Sequence, residues 1–287
     1  MQSAIRSTWL WFMLPTWLWP SVLWAHQEGA HFSGAIVEPL ELHHAHVEDE
    51  QRLNIAFRDN VPAHEEGEGP RDVFVNSLEL AWATRDFRWG AEVFIPFSNV
   101  GRDDGQAVYT LGDLDIEPIK YAWINTPETI VTTALGVTLP TGSERKEAGE
   151  GDTVVDAHLF VDQAYRNWYL GVNVVPSVAV GGDTQSRLEW GAILAYSFIR
   201  GTERVAPAKP AQSWVLAPSV ELIGDTGLGG KESDVDVFSL LPGLNLWHPK
   251  SEWSFRIGVK LPITEDKEET KTIFFQVGTH WDWGKLF

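Results

Sequence analysis

The feature that most constrains this chain is an alternation of apolar and polar residues with period two, sustained over long runs. Over 87–97 the odd positions are Phe87, Trp89, Ala91, Val93, Ile95 and Phe97, and the even ones are Arg88, Gly90, Glu92, Phe94 and Pro96. Over 253–263 the odd positions are Trp253, Phe255, Ile257, Val259, Leu261 and Ile263, against Ser254, Arg256, Gly258, Lys260 and Pro262. A strand sends successive side chains to opposite faces, so such runs read as strands with one apolar and one polar face. Twelve segments follow the pattern, at about 50–59, 72–85, 86–98, 107–124, 128–140, 152–165, 167–181, 186–200, 212–224, 234–247, 251–264 and 270–287. Most are far longer than the roughly 5–6 residues of an ordinary strand. They are long enough for the ~9–11 residues that cross a bilayer. The expectation is an all-β fold, a transmembrane antiparallel β-barrel of about 12 strands of the Gram-negative outer-membrane type.

The connections sharpen this. On one side they are mostly short, at 85–86, 125–127, 166–167 and 248–250, with 201–211 the exception. On the other they are mostly longer and acidic, at 60–71, 99–106, 141–151, 225–233 and 265–269. Outer-membrane barrels pair short periplasmic turns with longer outer loops in this way.

Composition removes other classes. The chain has 287 residues, a formal charge of −18 and no cysteine, which excludes a disulfide scaffold, an iron–sulfur centre and a thiolate zinc site. The acidic balance argues against a nucleic-acid partner. Five of the 15 Trp lie in the first 25 residues, where Arg6 is the one charge and an apolar stretch ends at Ala25. That pattern predicts a signal peptide over 1–25. Residues 26–49 then form a His-rich periplasmic N-terminal segment, and 50–287 the barrel. Residues 26–49 could also enter the lumen or extend the first strand. At the other end Trp281, Trp283 and Phe287 share one face of the last strand. An aromatic ending of this kind resembles the outer-membrane targeting signal read by the barrel-assembly machinery.

If the apolar positions face lipid, the others line the lumen. These are Glu79, Arg88, Glu92, Asp113, Asp115, Asp156, His158 and Asp162, then Glu189, Glu221, Asp236, Arg256, Lys260, His280 and Asp282. Acids outnumber Arg88, Arg256 and Lys260, so an open lumen would favour cations. Charges inside a barrel need water or partners, and the alternative is a closed interior of ion pairs. Strict alternation puts Lys120 on the lipid face, at a cost of ~2–4 kcal/mol near mid-membrane. A bulge at Pro118 would turn Lys120 inward and leave Ile119, Tyr121 and Trp123 outside.

Two stretches carry a resemblance. The run from Gly112, Asp113 and Leu114 to Pro118, Lys120 and Tyr121, followed by Gly136, Val137, Thr138, Leu139, Pro140, Thr141 and Gly142, resembles the paired signature of the family named for a MetA pathway of phenol degradation. The resemblance implies an outer-membrane protein of transporter type, linked to uptake of aromatic or other hydrophobic compounds. On physical grounds Pro140-Thr141-Gly142 reads as a turn that ends a strand.

The histidines His43, His44 and His46 precede Glu48 and Asp49, and imidazoles with carboxylates can hold Zn, Cu or Ni. No G-x-S-x-G motif stands out. His158, between Asp156 and Asp162, reads as a lumen-lining residue. The expected function is therefore non-enzymatic and without cofactor: passive passage of a small solute across the outer membrane. Its partners are outer-membrane lipid and lipopolysaccharide. The alternatives are a non-conducting structural or adhesive barrel, or a metal-handling protein that uses the histidine segment.

Overall fold

The computed structural model of the chain describes residues 37–61, 71–101, 107–126, 128–143, 148–149, 151–181, 186–198, 214–228, 236–248, 251–264 and 270–280. These residues form thirteen strands: β1 (Glu50–Val61), β2 (Arg71–Ala83), β3 (Trp89–Gly101), β4 (Ala107–Leu111), β5 (Leu114–Asn125), β6 (Thr129–Leu139), β7 (Thr153–Tyr165), β8 (Trp168–Val180), β9 (Ser186–Tyr196), β10 (Val215–Leu228), β11 (Asp236–His248), β12 (Trp253–Pro262) and β13 (Lys271–His280). Each pairs antiparallel with its neighbours. The sheet closes where β1 meets β13, with Glu50 opposite His280 and Asp59 opposite Lys271. β4 and β5 make one stave, since both pair with β3, along 97–101 and 89–94 respectively. The result is a closed antiparallel barrel of twelve staves. Gly112 sits at the break between β4 and β5. A β-carbon there would lie 2.9 Å from Cγ of Pro96, so only glycine lets the chain pass so close.

Alternation sorts the wall as the sequence requires. In β8 Trp168, Leu170, Val172 and Val178 are exposed, whereas Tyr169, Asn173, Val175 and Ser177 are buried. The same holds for Leu53, Leu135, Leu194, Leu244, Ile257 and Phe275, which point outward around the ring. An apolar band that encircles a closed barrel is stable against lipid, so this is an outer-membrane barrel. Aromatic residues cluster at the end that carries the short turns. Trp89 contacts Tyr121 with ring centroids 4.4 Å apart, and Tyr121 contacts Trp123. Trp168, Tyr196 and Phe198 form a second cluster, and Trp214, Trp253 and Phe255 a third. This is a girdle at one membrane interface.

The short turns are built locally. Tyr165 pairs with Trp168 across Arg166 and Asn167, with Arg166 at φ 56°. Thr84 to Arg88 links β2 to β3, with Phe87 at φ 50°. There the Asp86 carboxylate accepts from the Thr84 hydroxyl at 2.6 Å and from the Arg88 N–H at 3.3 Å. The Thr84 bond, ahead of the backbone one, holds the Asp86 carboxyl below its usual range. This turn corrects one expectation. Arg88 is exposed in the turn and does not line the lumen, because β3 begins only at Trp89 after the reversal at Phe87.

The bulge expected at Pro118 is present. Ile116 faces Val137 and Ile119 faces Leu135, so Glu117 and Pro118 together oppose Gly136. Ile119 and Trp123 are exposed, and Lys120 is buried inside, where its Nζ meets Glu92 Oε1 at 2.5 Å. One extra residue thus places both Glu117 and Lys120 in the interior.

Candidate functional site

The interior is the candidate site, and it contains chain. Of the three placements open to residues 26–49, the described part, 37–49, takes the one inside the barrel. Val37, Leu40, Ala45 and Val47 are buried there, as are Glu38, His44, His46 and Asp49. Val37, Ala45 and the half-buried Leu42 pack with the inward Phe160, Tyr169, Ile193 and small residues such as Ala134, Ala195 and Ala217. Glycines in the wall make the notches. A β-carbon on Gly243 would lie 2.6 Å from Leu40 Cδ1, and one on Gly90 would lie 2.9 Å from Val47 Cγ1. Gly258 likewise makes room for Leu40, and Gly191 for Leu42.

Among the described residues the segment pairs with no strand, so its backbone groups need the wall's side chains, since a buried polar group left unpaired is costly. Glu221 of β10 accepts from the N–H groups of Leu40 at 2.7 Å, Glu41 at 3.2 Å and Leu42 at 3.1 Å. Gln276 donates to the Leu40 carbonyl at 2.6 Å, and Asp162 accepts from the Ala45 N–H at 3.2 Å. The Thr132 hydroxyl donates to the Ala45 carbonyl at 2.5 Å. At the short-turn end the Asp49 carboxylate accepts from the Ala83 N–H at 2.8 Å.

Charge pairs complete the attachment. Glu38 meets Arg52 Nη2 at 2.7 Å and also Arg256. Arg52 in turn holds Glu50 at 2.5 Å and Glu79 at 3.1 Å, and Arg256 reaches Glu50 at 3.4 Å and Gln276 at 3.1 Å. Lys260 meets Glu41 at 2.7 Å, and His280 meets Glu48 at 2.9 Å.

Most of the lumen-lining candidates are therefore engaged rather than bare. Glu79, Glu92, Asp156, His158, Asp162, Glu221 and Arg256 are buried on the inner face. Lys260 and His280 reach the segment. Glu189 shares the inner face of β9 with the buried Ile193 but is exposed to solvent. Asp113 is used otherwise: it accepts from the Gly142 N–H at 2.7 Å. Asp115 is half-buried. The three histidines do not act as one set. His44 and His46 meet edge to face with centroids 5.4 Å apart and group with Glu48, while His43 turns to Glu117 and His158. Extended chain sends 44 and 46 to one side and 43 to the other. Trp281, Trp283 and Phe287, the predicted leader over 1–25, and residues 26–36 lie outside the described residues. Sequence reasoning missed Glu38, Glu50, Arg52 and Glu117. Glu50 and Arg52 share the parity opposite Leu53 and Ile55, and Glu117 continues the series of Asp113 and Asp115, so the signal was present.

The two motif stretches meet at the other end of the barrel. The Thr141 hydroxyl donates to the Gly112 carbonyl at 2.9 Å and accepts from the Leu114 N–H at 2.9 Å. With the bond from Gly142 to Asp113, this clasps the β4–β5 break to the end of β6. Two neutral hydrogen bonds at a half-exposed site are worth together about 1–2 kcal/mol. The Thr141→Val variant should lose about that much, read as a lowered midpoint in denaturant with the slope unchanged. An unaltered midpoint would refute the clasp.

Comparison with known proteins places only the architecture. No protein-family model matches the chain, and no curated protein matches it. Among solved structures, the chain is similar to a protein described as the COG4313 outer membrane channel from Pseudomonas putida F1, with a TM-score of 0.57, 15% identity, and coverage of 86% of this chain and 100% of that one. It is also similar to the KdgM porin, with a TM-score of 0.50, 7% identity, and coverage of 81% and 99%. At such identities the likeness is one of fold: the chain is a closed twelve-strand barrel of the outer-membrane kind.

Proposed function

We propose that this chain is an outer-membrane channel for passive passage of small solutes, aromatic or hydrophobic compounds among them, and that residues 37–49 stand in the path. The observation that carries the reading is how the interior is filled. A structural barrel fills its centre with side chains of its own wall. Here the centre holds a separate stretch of backbone, attached by side chains, so it can leave without breaking any strand ladder. The resemblance to the MetA-pathway family supports the aromatic or hydrophobic solute. The porin and the channel that share the fold support passage itself.

The interior is acidic in the majority, so ions that pass should be mainly cations. The solute crosses unchanged, and no cofactor or energy source enters the scheme. In this reading residues 1–25 are a cleaved leader, and Trp281, Trp283 and Phe287 present the barrel to the assembly machinery. Planar-bilayer recording of the purified full chain tests the proposal. Discrete current steps with cations favoured over anions are expected. Uptake of aromatic solutes should fall in cells without the gene and return with it. Silent bilayers from both the full chain and a variant whose segment is released would refute the channel.

A further inference from the structure

We propose that His43, Glu117 and His158 form a binding site for a divalent transition-metal ion, which ties the N-terminal segment to β5 and β7 inside the barrel. Three elements remote in sequence bring these groups together. The segment supplies His43, the Pro118 bulge of β5 turns Glu117 inward, and β7 supplies His158. His43 Nδ1 lies 3.3 Å from Glu117 Oε1, and His158 Nδ1 lies 3.8 Å from the same oxygen. One donor atom from each residue falls within 4.8 Å of the others. Ligands about 2.0–2.1 Å from a tetrahedral ion stand about 3.3 Å from one another. The three groups thus already lie near the spacing that an ion would impose.

A second observation points the same way. Glu117 is fully buried, and among the described residues neither of its oxygens accepts a well-aligned hydrogen bond beyond the approach of His43 at 3.3 Å. Neither ring nitrogen of the buried His158 has one either. The nearby Lys120 does not resolve this, because its ammonium is engaged by Glu92. A buried carboxylate held only by imidazole contacts and a buried imidazole with no well-formed hydrogen bond are both unfavourable. One cation would satisfy both.

The surroundings suit an ion. Phe94 and Phe160 flank His43 with ring centroids at 5.6 and 6.1 Å, and Phe160 lies 5.3 Å from the His158 ring. Gly136, opposite the bulge, leaves room beside His158, where a β-carbon would come within 3.0 Å of Nε2. The His43 side chain keeps 30% of its surface exposed, so a water could fill a fourth position. Two imidazoles and one carboxylate favour Zn, Co, Ni or Cu over Ca or Mg.

The test uses the full-length barrel in detergent, stripped with a chelator and titrated with Co(II), whose visible absorption reports coordination by nitrogen and oxygen. The same samples are titrated with Zn(II) against a chromophoric chelator. One ion per chain is expected, with affinity weakened about 100-fold or more in His43→Ala and in Glu117→Gln. His43 belongs to the segment and to no strand, so its variant leaves the barrel wall whole. Heat-dependent gel migration checks that Glu117→Gln has folded. The absence of binding in the parent, or affinity in both variants equal to that of the parent, would overturn the site. So would loss of the signal in His44→Ala with retention in His43→Ala, which would move the ion to the group of His44, His46 and Glu48. The readout is spectroscopic and does not depend on conductance.

Discussion

Arg256→Met should destabilise the barrel by about 3–5 kcal/mol, the size expected when one partner of a buried ion pair is removed. Arg256 and Arg52 are the two guanidinium groups set among Glu38, Glu50 and Glu79, and all five side chains are buried. Without Arg256, Glu38 and Glu50 keep Arg52, which also serves Glu79, and Glu38 keeps its longer contact with His280 at 3.5 Å. Gln276 and Ser254 lose a donor as well. Methionine keeps much of the volume, so the loss reports charge rather than a cavity. Reversible unfolding in denaturant, with refolding into the same lipid or detergent, measures it. A matched pair sharpens the result. Glu38 lies on the segment and not in the wall, so Glu38→Gln on the Arg256→Met background should recover part of the loss. A variant within about 0.5 kcal/mol of the parent would mean that water already screens the cluster.

Glu221→Ala should release the segment while the wall stays folded. Its two oxygens accept three backbone N–H groups, from Leu40, Glu41 and Leu42. Hydrogen bonds to a charged group are worth ~1.5–3 kcal/mol each, and they are not additive. A combined loss of about 3–4 kcal/mol raises the released population by two to three orders of magnitude, since each ~1.4 kcal/mol is tenfold. The bonds that Glu221 makes to Leu40, Glu41 and Leu42 all go to the segment, so the main damage falls there. Current through the barrel should rise, and a protease should cut within 37–49 faster than in the parent. Glu221→Gln keeps an acceptor and should sit between the two. Current and cleavage unchanged in Glu221→Ala would refute the attachment.

The strands were legible because their signal is local. Each stave needs only alternate residues of the right kind, and lipid outside with polar groups inside enforces it over ten or more positions. The predicted strand over 107–124 appears as β4 and β5, broken where Gly112 passes against Pro96. Lys120 could be turned inward on cost alone, since lipid would penalise its ammonium. Arg88 failed for a local reason too: alternation continues through the turn on paper, while a positive φ at Phe87 ends it in space.

The candidate site was legible residue by residue but not as a set. Parity marks Glu79, Asp162, Glu221 and Arg256 as inward, yet it cannot say what each faces across the barrel. Leu40 and Glu221 are 181 positions apart, and nothing in either stretch names the other. The same holds for His43 with Glu117 and His158. The sequence by itself determined the closed barrel, its apolar outer band and its polar interior, because a period-two pattern is a property of neighbouring residues. Only the tertiary structure decided that residues 37–49 enter the interior and that many of its charges, Glu221, Asp162, Arg52, Arg256 and Lys260 among them, hold the segment there. That choice rests on notches at Gly90, Gly191, Gly243 and Gly258, and on backbone groups that must find partners once they leave water.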